Sequence, residues 1–208
     1  MAQTATLRLH RFPLSGHSHR AELMLSLLGL RADLVDVDLA HGEHKQPRFL
    51  EKNSFGQVPV LDDGALSISD SNAILVYLAE RYDEEERYYP REPARRAQVQ
   101  RWLSVAAGPL ATGPAAARLV RVFNAPLDHA AAVRKTHDLF AVLEKELQAR
   151  PFLVGETPTL ADVALYTYTS HAPEGGISLE AYPAIREWLT RIEALPGFVP
   201  MARAAEKS

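Results

Sequence analysis

The stretch from Asn53 to Tyr82 constrains the fold of this chain more than any other part of the sequence. It contains a Val-Pro pair, two short runs of β-forming residues around Asp62-Asp63-Gly64, an Asp-Ser pair and an amphipathic helix. The Asp-Gly pair between the two runs predicts a β-hairpin, because it supplies the positive φ angles that a tight turn needs. The stretch therefore predicts a hairpin that leads directly into a helix.

Two short pairs in this stretch, Val58-Pro59 and Asp70-Ser71, offer different contacts to a ligand. A cis bond at Val58-Pro59 would turn the chain sharply and leave the N–H and C=O of Val58 to pair with an extended ligand. Ser69, Asp70 or Ser71 can cap the helix that follows, and a helix start with free N–H groups and a hydroxyl is an anion site. Together these features suit a small peptide with a free α-carboxylate.

Elements of the first half alternate between strand and helix patterns. Leu7 and Leu9 alternate with polar residues, and a helix is expected to follow Ser15 or Gly16. The expected elements are a strand over Thr4 to Arg11, a helix ending at Gly29, a second strand through Val35, Val37 and Leu39, a helical piece over Pro47 to Lys52, the hairpin and the last helix. This order predicts an α/β fold, a thioredoxin-like βαβ–ββα domain that ends near Tyr82.

The second half has almost no strand patterns. Three helices are expected from Arg95 to about Val122 with a kink at Gly113-Pro114, from Asp128 to Ala149, and from a capping motif at Thr159 to Tyr168. A last helix is expected to carry Ile185, Trp188, Leu189 and Ile192 and to end before Pro196-Gly197. We therefore predict a thioredoxin-like domain over residues 1–82, a polar linker over 83–92 and an all-α domain over 93–208.

Composition excludes several classes of function. The chain has 208 residues and a net charge of −3, which does not indicate a nucleic-acid or acidic-membrane partner. It has no cysteine, so disulfides, thiolate metal sites and a cysteine nucleophile are excluded. We expect no membrane span and no signal peptide. We expect a cytoplasmic location. His41-x-x-His44 has no third ligand nearby in the sequence, so no metal is expected.

The stretch around Val58-Pro59 and Asp70-Ser71 resembles the glutathione-binding half of the glutathione S-transferase family. In that family the residue before a cis-proline pairs with the cysteinyl backbone of glutathione, and an acid-Ser pair holds its γ-glutamyl end. The run TLADVALY, which begins at Thr159, resembles the capped core helix of the family's all-α domain. The resemblance implies glutathione as co-substrate and a homodimer.

The run SGHSHR resembles the Ser-x-x-Ser-x-Arg arrangement of the theta- and zeta-like classes of this family. Ser15 falls on the catalytic serine position, where its hydroxyl would donate to the glutathione thiolate; alternatively it is only the cap of the helix. Ser18 is the reserve choice for this donor, and His17 is a candidate supporting group. The sequence departs from the zeta-like isomerases at Gly16 and at His17, which stands where those proteins carry a cysteine.

The remaining contacts with glutathione are implied by position. His44 and Lys45 match the region that reaches the glycine carboxylate, and Gln57 could donate an amide to the same carboxylate. His44 could equally be a solvated loop residue. Asp70 could pair with the γ-glutamyl ammonium, cap the helix, or do both.

The resemblance also implies a pocket for an electrophilic substrate. The residues that would line it are Leu14, Trp102, Ala106, Leu110 and Phe123. Their helical spacing is explained equally well by core packing. The expected activity is addition of the glutathione thiolate to a small hydrophobic electrophile. The alternatives are a glutathione-dependent isomerase or peroxidase, and a non-catalytic binding or assembly protein with the same fold.

Overall fold

The computed structural model of the chain describes residues 7–205, which form two compact units. The first unit ends at Glu84 and takes in Pro196–Ala202; the second comprises Glu85–Leu195 and the residues from Arg203. The predicted domain limits of 1–82, 83–92 and 93–208 stay a prediction. Among residues 7–205 we find no helix with the length and apolar character needed to cross a membrane.

The first unit has the predicted thioredoxin-like order of elements. Its elements are β1 (Leu7–Arg11), α1 (Gly16–Leu27), β2 (Ala32–Asp36), a 3₁₀ turn (Glu43–Lys45), α2 (Pro47–Leu50), β3 (Val60–Asp63), β4 (Leu66–Ser69) and α3 (Ser71–Tyr82). The sheet has the order β2-β1-β3-β4, with β1 parallel to β2 and antiparallel to β3, and β3 antiparallel to β4. Helices α1 and α3 pack against each other.

The second strand lies earlier in the chain than predicted. It covers Ala32–Asp36, so Val37 and Leu39 lie beyond its end. The backbone of Val37 still donates to the carbonyl of Arg11 at 2.8 Å, and its side chain packs with Phe49 and Val60. Alternating polarity continues past the strand because these residues also face the core. Thr4, at the expected start of β1, lies outside the described residues.

The predicted hairpin forms β3 and β4, with a difference in its turn. Gly64 has a φ of +61°, which the turn requires, whereas Asp63 completes β3 and pairs with Leu66. Only one residue of the Asp-Gly pair therefore adopts a left-handed conformation. Asp70 is the residue that caps α3.

The second unit is helical, as predicted. Its helices are α4 (Pro93–Val105), a π-helical segment (Ala106–Ala115), α5 (Ala116–Phe123), α6 (His129–Gln148), α7 (Leu160–Ser170), a 3₁₀ turn (Ala172–Gly175) and α8 (Pro183–Glu193). The π-helical segment stands where a kink was expected and includes Pro109 and Pro114. A proline cannot make the α-helical hydrogen bond, and a wider π turn accommodates that loss inside a continuous helix.

The capping motif at Thr159 is confirmed and extends into the core. Asp162 accepts hydrogen bonds from the backbone of Thr159 at 2.8 Å, from the backbone of Leu153 at 2.9 Å and from Trp188 Nε1 at 2.9 Å. Burial raises the pKa of Asp162, and these donors oppose the rise. One carboxylate therefore joins the start of α7 to α8 and to the chain before α7.

Candidate functional site

Ser15 is the N-cap of α1. Its backbone is extended, with φ −88° and ψ 117°, and its Oγ accepts a hydrogen bond from the backbone of Ser18 at 3.3 Å. The side chain is partly exposed. The cap uses a lone pair of Oγ, so the hydroxyl proton of Ser15 remains to be donated. A hydroxyl donor at a helix N-terminus can stabilise an anion.

Ser18 lies one turn later on α1 in a different environment. It is 1% exposed, and its Oγ accepts a hydrogen bond from the backbone of Phe12 at 3.1 Å. This bond joins the residue after β1 to the first turn of α1. The position of Ser18 suits a structural role better than contact with a ligand.

Ser71, the first residue of α3, receives two side chains from α1. Arg20 Nη1 donates to Ser71 Oγ at 2.9 Å, and His17 Nδ1 lies 3.1 Å from the same oxygen. Arg20 Nη1 also donates to Asn72 Oδ1 at 2.8 Å. Arg20 is 1% exposed and Ser71 3%. The start of α3 is therefore held against α1 by buried polar contacts.

His17 is partly buried and carries no charge at neutral pH. Burial of the ring, together with the charge of Arg20, lowers the pKa of His17 to about 3. Such a weakly basic imidazole cannot take the proton of a thiol with a pKa of about 8.5. His17 is therefore suited to hydrogen bonding and not to the role of a general base.

The peptide bond between Val58 and Pro59 is cis. The next residue, Val60, begins β3, and its side chain is fully buried. Within residues 7–205, no hydrogen bond involves the backbone N–H or C=O of Val58. These two groups are therefore available to an extended peptide.

Asp70 combines a helix cap with an unusual backbone conformation. Its φ is +74°, and its Oδ1 accepts from the backbones of Asn72 and Ala73, each at 2.9 Å. A non-glycine residue with this φ costs free energy, and such residues cluster at functional sites. The exposed carboxylate keeps Oδ2 for another partner.

Lys45, on the 3₁₀ turn, holds the loop that precedes Val58. Its Nζ donates to the carbonyl of Phe55 at 3.1 Å and to that of Gly56 at 2.9 Å. His44 is partly buried, and Gln57 has an exposed side chain. An ammonium group has three donors, so Lys45 keeps one for a carboxylate.

Comparisons with known proteins identify the family. The N-terminal domain model of glutathione S-transferase matches residues 5–80, and the C-terminal domain model matches residues 116–196. The chain belongs to the glutathione S-transferase family. It is 35% identical to glutathione S-transferase 3 of Zea mays over 204 residues, which is 93% of this chain and 92% of that protein.

Two further relatives agree with this membership. Human glutathione S-transferase theta-2 is 31% identical over 178 residues, 81% of this chain and 73% of that protein. The crystal structure of a glutathione S-transferase from Pseudomonas fluorescens aligns with a TM-score of 0.90 at 33% identity, covering 96% of this chain and all of that one.

Within this transferase fold, the structure brings some predicted residues together. His17 contacts Ser71, so the start of α1 meets the start of α3. Ser15 contacts Ser18 within the start of α1. Lys45 reaches the loop that leads to Gln57. Among residues 7–205, no group of three His, Asp or Glu side chains could hold a metal ion. The role of each residue toward glutathione stays a prediction.

Sequence reasoning gave no role to three residues that shape this site. Arg20 donates a hydrogen bond to Ser71. It is the arginine of the Ser-x-x-Ser-x-Arg pattern, but the pattern did not indicate this contact. Asn53 Nδ2 donates to the carbonyl of Gln57 at 2.7 Å and fixes the loop before Val58. Gly56 has a φ of +58° and lies against His44. No periodicity in the sequence signals these contacts, because they join residues in loops and on separate helices.

The residues predicted for the electrophile pocket fall into two groups. Trp102, Ala106 and Leu110 are at most 1% exposed and belong to the core of the helical unit. Phe123 is 39% exposed, and Leu14, in the other unit, is partly exposed. Their assignment to the pocket stays a prediction.

Proposed function

We propose that this member of the glutathione S-transferase family binds glutathione and adds its thiolate to a small hydrophobic electrophile. The observation that carries the proposal is the hydroxyl of Ser15, which caps α1 through its oxygen and keeps its proton for donation. Relatives that are named glutathione S-transferases and align with most of the chain support the general activity. The resemblance to the family implies that the electrophile is small and hydrophobic.

The chemistry requires a bound thiolate. A free thiol with a pKa of about 8.5 is only a few per cent ionised at neutral pH. A decrease of about two pKa units makes the thiolate the major form and corresponds to about 2.7 kcal/mol. The O–H of Ser15 and the N-terminus of α1 both favour the anion.

Each part of glutathione has a candidate partner in the first unit. The unused N–H and C=O of Val58, beside Pro59, suit the cysteinyl backbone. Asp70 and Ser71 would bind the γ-glutamyl end, and Lys45, with His44 and Gln57, would bind the glycine carboxylate. Among the residues predicted for the electrophile pocket, Leu14 and Phe123 are available for contact, whereas Trp102, Ala106 and Leu110 are at most 1% exposed.

The test is a pH titration of the ultraviolet thiolate band of bound glutathione in the parent, Ser15→Ala and Ser18→Ala. We expect a bound-thiol pKa well below the free value in the parent and in Ser18→Ala, and a return toward it in Ser15→Ala. A low pKa that Ser15→Ala leaves unchanged would remove Ser15 from the mechanism. Thiolate formation without conjugation of an activated aryl chloride would favour the isomerase or peroxidase alternative.

We also propose that the protein is cytoplasmic and that, as the resemblance implies, it forms a homodimer. Light scattering during size-exclusion chromatography measures the mass directly. A dimer mass of about twice 23.0 kDa is expected. A mass equal to one chain at micromolar concentration would reject the homodimer.

A further inference from the structure

Two polar side chains of α1 meet at a single oxygen of α3, Ser71 Oγ. Arg20 Nη1 is 2.9 Å away and His17 Nδ1 is 3.1 Å away. His17 and Arg20 are three residues apart on α1, so both face the first turn of α3. Ser71 itself is only 3% exposed.

The hydrogen-bonding capacity of Ser71 limits what a ligand can find there. A serine hydroxyl has one proton to donate and two lone pairs that accept. Arg20 can only donate, so it occupies one lone pair. His17 must then use either the second lone pair or the hydroxyl proton, and a ligand receives whichever is left.

The tautomer of His17 decides between these outcomes. At neutral pH its ring is uncharged and carries a single N–H. With the proton on Nδ1, His17 donates to Ser71, and the hydroxyl of Ser71 points to the ligand as a donor. With the proton on Nε2, His17 accepts from Ser71, and the ligand meets only a lone pair. A donor suits a carboxylate, and a lone pair suits an ammonium.

Electrostatics favour the carboxylate at Ser71. The guanidinium of Arg20 is buried and positively charged, and it lies against the hydroxyl. Ser71 also begins α3, a 12-residue helix whose N-terminus carries a partial positive charge. Both repel an ammonium group. The adjacent carboxylate of Asp70 is the group that suits the ammonium.

We propose that His17 is a positioning residue whose Nδ1–H donates to Ser71 and so fixes the Ser71 hydroxyl as a donor to the carboxylate of an α-amino-acid zwitterion. The zwitterion is the γ-glutamyl end of glutathione, so this assignment rests on the proposed function. His17 need not touch glutathione in this role, because it acts through Ser71.

The experiment uses two substitutions of nearly equal shape and three peptides. His17→Asn offers an N–H donor near the position of Nδ1, whereas His17→Leu offers none. The peptides are glutathione, glutaryl-Cys-Gly, which keeps the carboxylate but lacks the ammonium, and 4-aminobutyryl-Cys-Gly, which keeps the ammonium but lacks the carboxylate. Calorimetry measures the dissociation constants at neutral pH, and ¹⁵N NMR of labelled histidine identifies the tautomer in the free protein.

We expect His17→Leu to bind glutathione and glutaryl-Cys-Gly about threefold more weakly than the parent, because the hydroxyl of Ser71 keeps its proton and loses only its fixed orientation among about three staggered positions. His17→Asn should recover most of this affinity. Neither substitution should change the affinity for 4-aminobutyryl-Cys-Gly. In a Ser71→Ala background, His17→Leu should cause no further loss, because its effect passes through the hydroxyl.

Several results would overturn the assignment. Finding His17 as the Nε2–H tautomer in the free protein would overturn it before any ligand is added. Equal losses for all three peptides would mean that His17 only maintains the fold, and a loss confined to 4-aminobutyryl-Cys-Gly would reverse the polarity of Ser71. Unchanged glutathione affinity in His17→Leu would reject this role alone. A parent protein that does not bind glutathione would reject the proposed function, and this assignment with it.

Discussion

Gly56 lies so close to His44 that a Cβ at position 56 would stand 2.7 Å from the carbonyl oxygen of His44. The contact is with backbone, which cannot rotate away as a side chain could. Gly56 also has a φ of +58°, in the left-handed region. The loop that leads to Val58 is thereby held against the segment of His44 and Lys45.

Gly56→Ala should therefore cost more than an ordinary left-handed glycine. We expect a loss of about 1–3 kcal/mol in the free energy of unfolding, together with weaker glutathione binding, because the loop must move. Gly42→Ala is the control: Gly42 has a φ of +76° but nothing within 4 Å of a Cβ, so about 1 kcal/mol is expected. Urea unfolding and calorimetry measure both. Equal losses would show that the close approach has no effect.

Lys45→Met tests the glycine end of the site. The ammonium of Lys45 has one donor left after its bonds to Phe55 and Gly56. We expect about fivefold weaker binding of glutathione and a smaller loss for glutathione amidated at its glycine, since both peptides lose the support of the loop but a charge-assisted bond is lost only in the first case. Lys135→Met, on α6, is the charge-matched control. Equal weakening of both peptides would mean that Lys45 acts only by holding the loop.

Arg20→Met should destabilise the first unit. Arg20 is 1% exposed and donates to Ser71 and Asn72, so its loss removes two bonds from a charged donor. We expect a decrease of about 2 kcal/mol or more in the free energy of unfolding. The exposed Arg31 provides the matched control, Arg31→Met, with an expected change within about 0.5 kcal/mol. Denaturant unfolding measures both variants. Equal unfolding midpoints for Arg20→Met and Arg31→Met would contradict the role of Arg20.

Asp62 should make stability depend on pH in the acid range. Burial tends to raise the pKa of Asp62, but hydrogen bonds from Lys52, Ser67 and His10 outweigh this effect and lower it to about 2. A carboxyl whose pKa is lower in the folded protein stabilises it above the unfolded value of about 3.9, and this contribution is lost as the pH falls toward 2.

The contribution of Asp62 should be about 2 kcal/mol. Unfolding experiments between pH 5 and pH 2 should show this loss in the parent and a smaller one in Asp62→Asn. Asp33→Asn removes the same charge from an exposed position and should leave the acid-dependent loss intact. Parallel pH curves for the parent and Asp62→Asn would rule out the contribution.

Much of the fold could be predicted because its signals are local. The hairpin depends on Gly64, and the helix caps at Ser15, Asp70 and Thr159 each use contacts within about three residues. The end of β2 was predicted less well, since alternating polarity reports which side chains face the core and not which backbones pair. The Gly113-Pro114 pair predicted a kink in the helix but not its π-helical form.

The candidate site was predictable only as a set of motifs. The sequence located Ser15, the Val58-Pro59 pair and the Asp70-Ser71 pair, because each is a short pattern with its own conformation. It ranked Ser15 ahead of Ser18 by resemblance alone, since both are serines at the start of one helix. The structure separates them by exposure: Ser18 is 1% exposed, whereas Ser15 is partly exposed.

The sequence by itself located the starts of α1 and α3 to within two or three residues, because capping is a contact between near neighbours in the chain. The structure then identified Ser15 and Asp70 as the two caps. Only the tertiary structure decided that Arg20 reaches Ser71, 51 residues away, and that His17 reaches the same hydroxyl. Such contacts depend on how two helices pack together. The polarity that Ser71 presents to a ligand therefore follows from packing and not from either motif alone.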